Sequence, residues 1–116
     1  MQRKFRLTRS EDFKRVRRSG KSYAHPLVVL IVQAHDQPRV KVGVAAGRTV
    51  GTAVYRNRAK RLLREAMRAM IPDIAPNLDL VLIARPGLVS ATLEDARKAL
   101  FNLLQRAQLL TPKNEA

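Results

Sequence analysis

The residues best equipped for chemistry in this sequence lie between Arg48 and Arg68. Arg48, Arg56, Arg58, Lys60, Arg61, Arg64 and Arg68 share that stretch with a single acid, Glu65. Arginine outnumbers lysine six to one there. A planar guanidinium grips phosphate through two parallel hydrogen bonds and stacks on bases, so this composition favours nucleic acid over an anionic membrane surface. Asn57, set between Arg56 and Arg58, is the polar exception. Its amide both donates and accepts, which suits it to a base edge, a 2′-hydroxyl or a metal-bound water. A local backbone hydrogen bond near a helix start is the plainer alternative.

Protein-borne catalysis finds little support. There is no Cys, which removes thiolate nucleophiles, thiolate zinc sites and disulfides, and two histidines, His25 and His35, cannot build a metal site unaided. Glu11-Asp12 and Glu94-Asp95 each suit the positive end of a helix rather than an acid/base pair. Gly20-Lys21-Ser22 resembles the end of a phosphate loop, yet Arg15 stands where the first glycine belongs and a helix precedes it where a strand should. Five aromatic residues are too few for the aromatic sheet of the common RNA recognition motif, and no basic Gly-x-x-Gly loop between helices supports a KH domain.

The elements that must position these side chains follow from periodicity. Ser10 to Gly20 predicts a short helix capped by Thr8 or Ser10, with Phe13 and Val16 on one face and Leu7 near them. Tyr23 to Ala34 is a β-branched run broken only by Pro26. Arg39 to Ala46 alternates, with Val40, Val42 and Val44 inward, and the turn His35-Asp36-Gln37-Pro38 predicts that the two runs pair as an antiparallel hairpin. Gly43 and Gly47 suggest a bulge or a close approach. Gly51-Thr52 opens the strongest helix, running to about Met70, with Tyr55, Ala59, Leu62, Leu63, Ala66, Met67 and Met70 on its apolar stripe. Asn57, Arg61, Arg64 and Arg68 lie on the opposite side, flanked by Arg58 and Lys60. Leu78 to Arg85 reads as a strand buried on both faces. Thr92 to Asp95 resembles a capping box that starts a last helix with Ala96, Leu100, Leu103, Leu104 and Ala107 inward.

The order α-β-β-β-α-β-α predicts an α+β fold, a two-layer α/β sandwich on a small mixed sheet. One domain is expected over residues 1–116, with a basic arm over about 1–7 and a frayed tail over about 111–116. The net charge of +14 sits entirely in residues 1–68, which hold 18 of the 23 basic and 4 of the 9 acidic side chains. An anion-binding face in the first half is the consequence. No stretch approaches the roughly 18 apolar residues of a membrane span, and the basic N-terminus has no apolar run behind it, so a cytoplasmic protein is expected.

The block from Arg48 to Glu65, built around Arg56-Asn57-Arg58, closely resembles the Arg-Asn-Arg signature of the protein subunit of bacterial ribonuclease P. Arg6-Leu7, Asp12-Phe13-x-x-Val16 and Gly20 before it, and Val81-x-Ile83-Ala84-Arg85 after it, extend the resemblance over nearly the whole chain. The resemblance implies a protein partner for a catalytic RNA that, with magnesium ions bound mainly by the RNA, removes 5′ leaders from precursor tRNA. Arg48, Arg56, Asn57, Arg58, Lys60, Arg61, Arg64 and Arg68 then face RNA, with Asn57 close to a metal only through water. It also implies a cleft for the single-stranded leader near Phe13. Arg17 stands where some members carry a second Phe, and Ile31 where some carry a Tyr, which moves leader binding from stacking towards phosphate contacts. A left-handed βαβ crossover is implied as well, against the usual right-handed rule. A general RNA chaperone, a ribosome-associated protein and an enzyme with an unrecognised site are the competing classes.

Overall fold

A computed structural model describes residues 3–111. Met1 and Gln2 of the expected arm and residues 112–116 of the expected tail lie outside the described residues. Helix α1 spans Ser10–Ser19 and starts after Arg9, whose extended backbone forms the N-cap without a side-chain hydrogen bond. Neither Thr8 nor Ser10 caps it; Ser10 already lies inside the first turn, and Glu11 and Asp12 supply the favourable negative charge there. Pro26 splits the next apolar run into β1 (Lys21–Ala24) and β2 (Val28–Ala34), which pair antiparallel with Lys21 opposite Val32.

Strand β3 (Val40–Ala46) does not pair with β2, contrary to the predicted hairpin. Strand β4 (Leu78–Ala84) inserts between them, giving the order β1-β2-β4-β3, antiparallel to β2 and parallel to β3. The loop from His35 to Arg39 arches over the start of β4. There the His35 amide donates to the Asn77 carbonyl at 2.9 Å and the Leu78 amide to the Arg39 carbonyl at 3.1 Å. The physical reason is burial: β4 is apolar at every position but Asp79 and the most continuously buried strand, and a central position shields both its faces and both its edges.

Helix α2 (Ala53–Arg68) joins β3 to β4 and ends slightly before the expected Met70, beyond which Ile71–Asp73 tighten into a 3-10 turn. Ala59, Leu63, Ala66 and Met67 are buried, and Leu62 and Met70 are half-buried. Tyr55 departs from the expected stripe, at 46% exposed. Ala53 and Val54 are exposed with it, so the first turn of α2 overhangs the core that its later turns cover. Helix α3 (Leu93–Arg106) carries the reciprocal capping box: Asp95 donates its amide to Thr92 Oγ1 at 3.1 Å, and the Thr92 amide donates to Asp95 Oδ2 at 3.0 Å. Thr111 is held by its amide on the Asp73 carbonyl, so the fold continues through it.

Helices α2 and α3 cover one face of the sheet, against Val28, Leu30, Val42, Leu80 and Leu82. Because strand side chains alternate, Ile31 and Val81 point the other way, where α1 and Leu7 cover them in a second apolar cluster. The class is α+β on a mixed four-stranded sheet, as expected.

Candidate nucleic-acid interface

Strand register sets out the α1-facing side of the sheet as three rows: Gln33, Asp79 and Lys41; Ile31, Val81 and Gly43; Val29, Ile83 and Ala45. Helix α1 lies along the middle row. Val16 is fully buried beside Ile31 and Val81, while Phe13 rests on Gly43, where a Cβ would stand 2.4 Å from Phe13 Cζ. At the other end of the helix a Cβ on Gly20 would meet the Val16 carbonyl at 2.5 Å and Ile31 Cγ2 at 2.8 Å. These two glycines let the helix sit close to the sheet.

One flank of α1 is tied to the first row. Arg15 bonds Asp79 Oδ2 at 2.7 Å, Asp12 Oδ1 at 3.3 Å and the side chain of Gln33. Asp79 has no exposed surface, and its Oδ1 takes Arg39 at 3.0 Å and lies 3.3 Å from His35 Nε2. The Asp79 hydrogen bond, outweighing burial, raises the pKa of the Arg15 guanidinium. A single buried carboxylate therefore joins α1, the β2–β3 loop and β4. Periodicity missed it, although the one acid inside the apolar run of β4 was the available signal.

At 100° per residue, Phe13 and Arg17 fall on the flank of α1 opposite Arg15. That flank faces the third row, where Val29 and Ile83 are half-buried and pack at the margin of the apolar cluster beneath α1. Of the residues expected in the leader cleft, Phe13 is half-buried on this flank and Arg17 is exposed. Ile31 lies beneath α1 in the same apolar cluster as Phe13, with little exposed surface. The open floor belongs to Val29 and Ile83, neighbours of Ile31 and Val81 at the strand period of two.

The basic residues expected on the outer side of α2 differ in exposure. Asn57, Arg58, Arg61 and Arg68 are exposed, Arg56, Lys60 and Arg64 are half-buried, and Arg48 is exposed in the turn before the helix. Asn57, Lys60, Arg61 and Arg64 line one shallow groove. Among the described residues no hydrogen bond involves the Asn57 side chain, and Arg68 alone of the set has an acidic partner, Glu65 at 2.8 Å. Arg56 keeps a buried Nε–H with no acceptor.

The two regions meet at the outer edge of β3. Here the Leu7 amide donates to the Val42 carbonyl at 2.9 Å, extending the sheet edge with the chain's N-terminal segment. A cavity of about 200 Å³ opens beside it, lined by Arg6 and Thr8, by Phe13 of α1 and by Arg64 of α2. Burial first, and the charge of Arg6 second, lower the Arg64 pKa, and Arg6 holds a buried Nε–H without an acceptor. Two guanidinium groups converging on a cavity with no carboxylate in its lining make an environment suited to an anion. Among the described residues, no group of three His, Cys, Asp or Glu side chains is placed to hold a metal ion, and no helix is long and apolar enough to cross a membrane.

Comparison with known proteins matches the chain to one family. The profile of the Ribonuclease P family matches residues 1–108. The ribonuclease P protein component of Herpetosiphon aurantiacus is 44% identical over 109 residues, covering 94% of this chain and 89% of the relative. Among solved structures, the Staphylococcus aureus RNase P protein superposes with a TM-score of 0.80 at 25% identity, covering 92% of this chain and 98% of that one. The RNase P protein from Thermotoga maritima gives 0.77 at 30% identity, covering 87% and 96%.

Proposed function

The chain belongs to the bacterial ribonuclease P protein family, whose ribonucleoproteins process tRNA, and we propose that it binds the catalytic RNA and the 5′ leader of precursor tRNA together. The observation that carries this reading is the junction at the β3 edge. There Arg64 of the arginine-rich helix and Phe13 of the α1 flank line one cavity, so a strand leaving the half-buried sheet row can pass directly onto the guanidinium face. Phosphates are held by Arg48, Arg56, Arg58, Lys60, Arg61, Arg64 and Arg68, whose charges are almost wholly uncompensated among the described residues. Leader nucleotides lie over Val29 and Ile83 between Phe13 and Arg17.

In this reading the RNA carries the hydrolysis, and magnesium bound to it would activate the attacking water and stabilise the developing charge. The guanidinium groups of α2 repel cations, so the magnesium ions reside mainly on RNA. Asn57 offers a neutral amide oxygen in that face, suited to a metal-bound water. The protein's contribution is to position the leader and neutralise phosphates, which lowers the magnesium needed for endonucleolytic cleavage. The cytoplasm, where precursor tRNA is made in bacteria, is the corresponding location.

The test is reconstitution at low magnesium with precursor tRNA and the protein alone, the catalytic RNA alone, and both. Cleavage at the mature 5′ end only in the combined sample is expected. Cleavage by the protein alone would assign the hydrolysis to the protein. No gain over RNA alone would leave a general RNA chaperone or ribosome-associated protein as the better description.

A further inference from the structure

Two large apolar side chains on the first turn of α2 are turned to solvent: Val54 at 72% and Tyr55 at 46% exposed. Neither belongs to the apolar clusters on the two faces of the sheet. The Tyr55 ring leans on the turn before the helix. A Cβ on Gly51 would stand 3.0 Å from Tyr55 Cδ2, and Gly51 itself adopts φ +131°, a conformation open to glycine. One side of the ring is thereby propped against backbone while much of the rest faces outward. No described hydrogen bond uses its hydroxyl.

The surroundings select the occupant. The sequence holds no acid from Gln37 to Arg64, and Tyr55 is adjacent to Arg56 and one turn from exposed Arg58. A partner must bring negative charge and a flat apolar face together at this spot. An unpaired nucleotide does both, its base stacking on the ring and its phosphate meeting a guanidinium.

We propose that Tyr55, with Val54 beside it, is a stacking platform for an unpaired nucleobase whose flanking phosphates are held by the arginines of α2. This rests on the RNA-binding reading above and adds to it a base contact within a face otherwise suited to phosphates. Base–aromatic stacking tolerates any base, so the platform selects single-stranded over paired RNA without reading sequence. Its polar hydroxyl is dispensable and its ring is not.

The experiment measures the affinity of the full-length protein for a precursor tRNA with a long leader and, separately, for the catalytic RNA, across a salt series. Wild type is compared with Tyr55→Phe, Tyr55→Ala and Arg58→Ala, all checked for intact melting. Tyr55→Ala is expected to lose about tenfold in affinity for the RNA that supplies the base, within the range for one stacked base. Its salt slope is expected to stay at the wild-type value, and Tyr55→Phe to bind like wild type. Loss on the precursor alone, or on the catalytic RNA alone, identifies which RNA provides the base. Because the chain has no Trp, Tyr55→Trp provides a single reporter whose emission is expected to quench in the complex. Wild-type affinity of Tyr55→Ala for both RNAs, or unquenched Trp emission, overturns the proposal and leaves the patch to an acidic protein partner. If the tyrosine variants alone are silent while Arg58→Ala flattens the salt slope, stacking fails and the RNA-binding reading stands. If Arg58→Ala is silent too, that reading fails with it.

Discussion

Gly43→Ala tests how closely α1 is seated on the sheet. The added Cβ would stand 2.4 Å from Phe13 Cζ and 2.7 Å from Cε1, against the roughly 3.5–4.0 Å of an ordinary carbon contact. The ring must therefore retreat by about 1 Å or more. Helix α1 cannot follow easily, because Val16 is fully buried and Arg15 is bonded to Asp79, so Phe13 swings towards solvent and loses its contact with β3. Overpacking of this kind costs about 1–3 kcal/mol, and each kcal/mol lowers the melting temperature of a domain near this size by roughly 4 °C or more. Gly47→Ala is the control. Its Cβ meets nothing within 4 Å and its backbone is extended, so the lost unfolded-state freedom should stabilise by about 0.4–1 kcal/mol. Thermal and urea melts of both variants, and of Gly43→Ala combined with Phe13→Leu, which deletes the clashing Cζ, complete the experiment. The double variant should recover part of the loss, with a favourable coupling of about 1 kcal/mol. Wild-type stability of Gly43→Ala, or strict additivity with Phe13→Leu, would refute the placement of α1.

Leu63→Ala should cost about 2–5 kcal/mol, and Leu62→Ala clearly less, because the first is fully buried and the second half-buried; equal losses in urea melts would contradict the observed face of α2. Asp79→Ala leaves Arg15 and Arg39 without their shared carboxylate, and should cost near the low end of about 3–5 kcal/mol, since both guanidinium groups keep contact with solvent. A near-neutral melt would mean that the cluster does not anchor α1. The hydrogen bonds from the backbone amide and side chain of Thr92 lower the Asp95 pKa. That contribution is full above the ordinary carboxylate value near 4 and is lost as pH falls through the lower folded value. The melting-temperature deficit of Asp95→Ala should accordingly be largest at neutral pH and shrink in strong acid; a deficit unchanged down to pH 2 would contradict it.

Much of this was legible because short-range chemistry decided it. The α2 stripe from Ala59 to Met67, the Thr92 capping box and the outward set of arginines all follow from spacing along one element. The misreadings concern relations between elements. The turn residues from His35 to Pro38 correctly predicted that β2 and β3 run antiparallel, but only the need to surround the apolar β4 separates them by a strand. Tyr55 fits the stripe of α2 by angle, yet where a helix overhangs its core depends on the length of the sheet beneath it. Arg6 and Arg64, 58 positions apart, converge on one cavity because the N-terminal segment pairs along the edge of β3. Sequence resemblance supplied the family role, which no periodicity contains.

The central claim is that the guanidinium face of α2 neutralises RNA phosphates. It is tested most directly by the salt dependence of affinity for the catalytic RNA in wild type, Arg58→Ala and Arg61→Ala, two exposed residues with no acidic partner among the described residues. Each variant should flatten the slope of log affinity against log salt by about 0.7–0.9, the release of one phosphate contact's counterions, with melting unchanged. Slopes identical to wild type in both variants would contradict the claim.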